Sequence, residues 1–270
     1  MRVLKLFFIS VFVPILFGCS GNLKIKYAEN LSNKEEYNVI LMGGQSNMVG
    51  RGKQTDLDRM NFTNITFFDF GLGANLKKQK DKFGPEVGLS MVLSKNFPNK
   101  KFILIKYAID GASLLDWSPD YSKQKAEITG NPEFGNMYDR LLSVTDSLTK
   151  GYKVKFKALL WMQGEKDARI PEAGIDYYNN FELFINSLRK DLNAPDLAVI
   201  FGKVNPPSDR YYALDTVVKA QIRISDELSN TYIIDTDNLE KWNDNLHYSS
   251  NGQINLGVKF GEKVYEIWKN

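Results

Sequence analysis

"NVILMGGQSNM", Asn38 to Met48, runs from four consecutive apolar residues through two glycines to a serine flanked by amides. A short unbroken apolar run bounded by glycine reads as a strand buried on both faces, the kind that parallel sheets contain. Ser46 then stands just past the strand's carboxyl end, where the chain turns. In open α/β sheets ligands bind in the crevice beyond that end.

The pattern recurs along the chain. Apolar runs lie at "KFILIKYA" (101–108), "KALLWM" (157–162), "LAVIFGKV" (197–204) and "TYIIDT" (231–236), with helical patterns over 86–95, 137–149, 172–192, 214–228 and 253–268. Five strand-then-helix units predict an α/β fold with a central parallel sheet of about five strands, covered on both faces. Polar, glycine-containing loops follow four of the runs: "GGQSNM", "IDGASLLDW", "QGEKDA" and, after a short connection, "DNLHYSSNG". These loops are expected to share one crevice. The aromatic stretch "DYYNNFELF" (176–184) has helical spacing and reads as a core face.

With 270 residues, 43% of them hydrophobic, the chain is long enough to bury a sizeable core as one domain. Its formal charge is +3, and Lys and Arg are dispersed with no basic stripe interleaved with aromatics, so no nucleic-acid partner is expected. One Cys and one His fall short of a structural zinc ligand set, and neither a metal nor a cofactor is expected.

The opening "MRVLKLFFISVFVPILFGCS" has a basic start, an apolar run too short for a membrane span, and then Gly18-Cys19. Leu16 to Cys19 resembles a bacterial lipobox, with a bulky Phe17. On that reading residues 1–19 are a lipoprotein-type signal peptide whose Cys19 is lipidated, residues 20–36 are a tether and residues 37–270 are the folded domain. The protein is then expected to be exported and held on the periplasmic or cell-surface side of a bacterial membrane through the lipid alone. The alternative is an ordinary signal peptide with an incidental cysteine.

Taken alone, Ser46 fits a helix cap as well as a nucleophile. The G-x-S-x-G elbow is not satisfied, because Met48 holds the last position, and Gly52-Lys53-Gln54 is not a P-loop. His247 is the only imidazole and follows Asp244 by three positions. Ser250 and Gln253 have capping-box spacing, which predicts a helix start there and leaves His247 on the preceding loop. From such a loop an aspartate can reach Nδ1 while Nε2 faces a serine, as a Ser-His-Asp site requires. The competing reading is a surface or core histidine.

"GGQSNM", "DGAS", "WMQGEKDA" and "DNLH" stand in the order of the four blocks of SGNH hydrolases. The first and third resemble the carbohydrate esterase family six and sialate O-acetylesterase branch, and the likeness extends from Asn38 to the final helix. The resemblance implies a three-layer α/β/α, flavodoxin-like fold and removal of O-acetyl groups from carbohydrates, of acetylxylan esterase or sialate O-acetylesterase type. It makes Ser46 the nucleophile, His247 the general base and Asp244 the residue that orients it. The oxyanion hole would comprise the Ser46 and Gly111 N–H groups and the Gln163 amide, with Gln45, Asn47 and Glu165 in support.

Two positions depart from the branch: Asp110 stands where glycine is more usual, and Lys166 where a small residue is. Glu165 has a second reading, as a surface carboxylate paired with Lys166 or Arg169. Trp117 and Trp242 are candidates for stacking on a sugar ring, with loop-to-core packing as the alternative. Two other functions fit the same residues, a glycan-binding surface lipoprotein without turnover and a lipase or thioesterase of the wider clan.

Overall fold

In the computed structural model, which describes residues 25–269, the strands in chain order are β1 (Ile25–Tyr27), β2 (Glu36–Gly44), β3 (Gly52–Lys53), β4 (Met60–Phe62), β5 (Ile65–Leu72), β6 (Lys82–Phe83), β7 (Lys101–Ile109), β8 (Lys153–Met162), β9 (Ala198–Gly202) and β10 (Thr231–Ile234). The helices are α1 (Ser46–Val49), α2 (Glu86–Asn96), α3 (Lys123–Ile128), α4 (Met137–Thr149), α5 (Glu165–Arg169), α6 (Pro171–Gly174), α7 (Tyr177–Asp191), α8 (Leu214–Glu227) and α9 (Ser250–Trp268). Residues 1–19, expected to be a signal peptide ending in a lipidated Cys19, lie outside the described residues.

Six strands form one sheet in the order β10-β9-β8-β2-β7-β5, with every neighbouring pair parallel. The apolar run that predicts a doubly buried strand is the central one: Val39, Ile40, Leu41 and Met42 are all fully buried between β7 and β8. Helices flank the sheet, α2 packing against α9 and α7 against α8. Gly88 and Gly257 bring the backbones of α2 and α9 together, since a Cβ at Gly88 would lie 1.9 Å from Ile254 O of α9 and one at Gly257 2.0 Å from the carbonyl oxygen of Pro85, the cap of α2. Tyr177, Phe181 and Phe184 of α7 are fully buried, the core face that their spacing predicts.

From β2 the chain passes to β5 and β7 on one side and then crosses to β8, β9 and β10 on the other. At this switch point, beyond the carboxyl ends of the central strands, sheets of this kind bind their ligands. The switch point gathers the loops after β2, β7 and β8.

Several expectations need correction. The sheet has six strands rather than five, because β5 adds an edge strand beyond β7. It is half-buried and follows β2 with only the one-turn α1 as an intervening α-helix, so no strand-then-helix period marks it. Within the segment expected as a tether, Ile25–Tyr27 pairs in parallel with β4, and Tyr27 packs on Phe62 and Phe67 with ring centroids 5.6 and 5.1 Å away. Three residues are too few to show a period. The span 172–192 is two helices, α6 and α7, rather than one. The cap of α9 is Ser249, whose Oγ accepts from Gly252 N–H at 3.2 Å, whereas Ser250 Oγ accepts from Lys53 N–H at 3.0 Å.

Candidate active site

Gly44 ends β2 at φ 141°, and a Cβ there would lie 2.1 Å from Met162 O, so only glycine lets β2 and β8 close at this point. The chain then turns, with Gln45 N–H donating to Met162 O at 3.0 Å, and α1 begins at Ser46. The first N–H groups of a helix have no intrahelical acceptor, so this turn presents free donors beside the Ser46 hydroxyl. The far end of α1 is held from below: Lys106, fully buried on β7, donates to Val49 O at 3.1 Å and pairs with Glu86 at 3.0 Å. Burial pushes the Lys106 ammonium toward deprotonation, but Glu86 and Asp69 outweigh it and hold it charged.

His247 reaches this turn from a loop 201 residues away, its Nε2 3.0 Å from Ser46 Oγ. Its Nδ1 lies 2.7 Å from Asp244 Oδ2. Asp244 Oδ1 accepts from the N–H groups of Leu246 and His247 at 3.0 and 2.9 Å, which closes the loop on itself. Burial pushes the Asp244 carboxyl up, yet these donors outweigh it and hold the group below the usual carboxylate range. An ionised Asp244 accepts the Nδ1 proton, which leaves the Nε2 lone pair facing the hydroxyl. That is the geometry for removing a proton from Ser46.

Two amides lock the loops together. Asn47 donates to Glu165 Oε1 at 2.9 Å and to Leu246 O at 3.2 Å, and accepts from Tyr248 N–H at 3.1 Å, so it spans from α5 to the histidine loop. Gln45 Oε1 accepts from Lys166 N–H at 3.1 Å, in the first turn of α5. Glu165 is buried beneath these contacts, and burial raises its carboxyl above the usual range against the bond from Asn47. The reading of Glu165 as a surface carboxylate paired with Lys166 or Arg169 is therefore replaced.

Gly111 follows β7 at φ 77°, and among the described residues neither its N–H nor that of Ser46 has an acceptor. Gln163 is placed differently from its expected role. Its amide donates to Asp167 and to Ala112 O, the latter at 3.1 Å, and the side chain is fully buried. With both hydrogens committed, it braces the loops after β7 and β8 instead of offering a donor to the crevice. Gln163→Ala should then lower stability by about 1–3 kcal/mol, the cost of stranding buried partners, and disturb kcat and KM together. A fall in kcat of about 100-fold with KM and melting temperature unchanged would return the amide to the oxyanion.

Asp167 accepts from Gln163 and from Leu114 N–H, but complete burial raises its carboxyl to about 7. Because the folded value exceeds the unfolded one, the stability it contributes is full below about pH 4 and is lost as pH rises through about 7. Asp167→Asn should remove that slope, so the variant should gain on the wild type by roughly 2–3 kcal/mol between pH 5 and 8. Thermal melts at both pH values check this, and an equal difference at the two would show Asp167 ionised throughout.

Of the two tryptophans, Trp117 is fully buried and packs edge-on against Trp161 at 5.0 Å, so it belongs to the core and not to a sugar platform. Trp242 is half-buried on the histidine loop, its backbone N–H donating to His247 O at 2.9 Å and Lys53 Nζ lying 4.7 Å over its ring. Sequence reasoning missed Arg51, which meets Asp110 at 2.6 Å beside Gly111. The unusual aspartate at 110 was the available signal, since a carboxylate placed in a buried loop requires a partner.

A serine, an imidazole and a carboxylate in a hydrogen-bonded line, at the switch point of a helix-flanked parallel sheet, are the arrangement found in serine hydrolases. The chain belongs to the family described as carbohydrate esterase, sialic acid-specific acetylesterase, whose sequence model matches residues 36–266. A probable carbohydrate esterase of Arabidopsis thaliana is 34% identical over 128 residues, 47% of this chain and 46% of that protein, so the match spans about half of the relative's length. Among solved structures, an Arabidopsis thaliana protein superposes with a TM-score of 0.63 at 24% identity over 85% of this chain and 98% of its own. NanS gives 0.66 at 16% identity over 89% and 99%. A carbohydrate acetylesterase from Xanthomonas citri gives 0.61 at 14% identity over 85% and 56%. These structural likenesses establish the fold, and the family is the one that the sequence blocks resemble.

Proposed function

We propose that the protein is a serine esterase that removes O-acetyl groups from carbohydrates, of acetylxylan esterase or sialate O-acetylesterase type. The observation that carries this reading is the line from Asp244 through His247 to Ser46, at 2.7 and 3.0 Å. In the mechanism, His247 Nε2 takes the Ser46 proton as Oγ attacks the acetyl carbonyl. The N–H groups of Ser46 and Gly111 stabilise the oxyanion as it forms. Collapse expels the sugar oxygen, which takes the proton from His247 and leaves an acetyl-serine. Water, activated by the same imidazole, releases acetate. Asp244 holds the tautomer and stabilises the transient imidazolium.

The family and the names of its relatives support a carbohydrate as the alcohol portion, and Trp242, half-buried on the histidine loop, is the remaining aromatic candidate to meet it. Incubation with acetylated xylan, acetylated pectin and O-acetylated sialic acid, with released acetate measured, tests the proposal. Acetate from at least one glycan is expected. If none of them and no aryl acetate is turned over, while a glycan still binds, the protein is a binding module instead.

A further inference from the structure

We propose that Arg51 and Asp110 form a positioning clamp that sets the direction of the Gly111 N–H relative to Ser46. The proposal rests on the reading above, in which Gly111 donates to the oxyanion. Arg51 Nη2 and Gln79 Nε2 each lie 2.6 Å from Asp110 Oδ2. The donors come from two different loops, Arg51 from the segment that follows α1 and Gln79 from the segment that follows β5. Arg51 also ties into the third loop of the site, because its carbonyl accepts from Trp242 Nε1 at 3.3 Å.

Asp110 is thus held at its side chain, and its backbone N–H is held as well, donating to Leu72 O at 3.0 Å. The next peptide carries the Gly111 N–H, so its orientation depends on one remaining backbone torsion of Asp110. On the far side, Gly111 O accepts from Asn131 Nδ2 at 2.9 Å. The donor is therefore braced on both sides while itself lacking an acceptor among the described residues.

The side chains of Arg51 and Asp110 are only 19% and 11% exposed, so this pair is screened less than a surface ion pair. Asp110 Oδ1 is sealed from solvent and has no partner among the described residues, and Oδ2 is taken by Arg51 and Gln79, so neither oxygen is free for a substrate hydroxyl. The carboxylate therefore acts through the backbone that it holds. A donor displaced by a fraction of an ångström from the oxyanion weakens the transition state more than the bound substrate.

The test measures kcat and KM on an aryl acetate, with melting temperatures, for Arg51→Met, Asp110→Ala, their double variant and Asp110→Asn. Each of the first two should lower kcat about 10- to 100-fold with KM within about threefold of wild type. The double variant should be no worse than the poorer single, because the two act as one unit. Asp110→Asn keeps an oxygen for Arg51 and Gln79 and should stay within about fivefold of wild type. Single variants at wild-type kcat, losses confined to KM, or losses that multiply in the double would each overturn the clamp. Ser46→Ala in the same assay separates the two levels. If it is inactive while the pair's variants keep full rate, the clamp alone fails; if it is active, the reading of the site fails. Should Asp110→Ala not fold, Arg51→Met carries the same comparison.

Discussion

Ser46→Ala is expected to lower kcat by on the order of 10⁴–10⁶-fold while leaving the fold in place. The only hydrogen bond of Ser46 Oγ among the described residues is to His247, so its loss strands no structural partner. The turn itself is held by backbone bonds, Gln45 N–H to Met162 O at 3.0 Å and Gly50 N–H to Ser46 O at 2.9 Å, which alanine keeps. The residual rate should reflect the remaining donors and substrate binding. Turnover of an aryl acetate by the purified variant, with its melting temperature, checks both halves. Activity within about tenfold of wild type would remove Ser46 from the chemistry.

Asp244→Asn should cost roughly 10³–10⁴-fold in kcat, with a smaller effect on KM. The amide oxygen can still accept from the N–H groups of Leu246 and His247, so the loop keeps its shape. Its NH₂ group, however, would point at Nδ1. The favoured tautomer then carries its proton on Nε2, which faces the Ser46 hydroxyl with a hydrogen where a lone pair is needed. Because the Asp244 side chain is 48% exposed, water competes for Nδ1, which places the effect below that of losing Ser46. A loss of less than about tenfold would mean that the carboxylate does not govern the tautomer.

What was legible in the sequence is local. The four-residue apolar run before Gly43 identifies a doubly buried strand, and it is the central strand of the sheet. Loops at strand ends announce the crevice, and the three-residue interval from Asp244 to His247 is short enough for a loop to close on its own side chain. The helix patterns of α4 and α8 reproduce almost to the residue, because an amphipathic period is written into each segment without reference to the rest of the chain. Where the local signal is weak, the expectation fails. β5 is an edge strand with a half-buried face, and β1 is three residues long.

The site divides in the same way. By itself the sequence determined the residue types available for the chemistry, one histidine with an aspartate three positions away and one serine past the apolar run of β2. The tertiary structure alone decided which of them meet, since Ser46 and His247 are 201 positions apart and only the order of the sheet brings their loops to one crevice. It also decided the supporting cast: Trp117 turned into the core, Gln163 spent its amide on Asp167 and Ala112, and Arg51 met Asp110 across 59 positions. Periodicity and capping act over a few residues and can be read along the chain. Partnerships between buried polar groups depend on which loops the sheet places side by side, and that information exists only after the strands have paired.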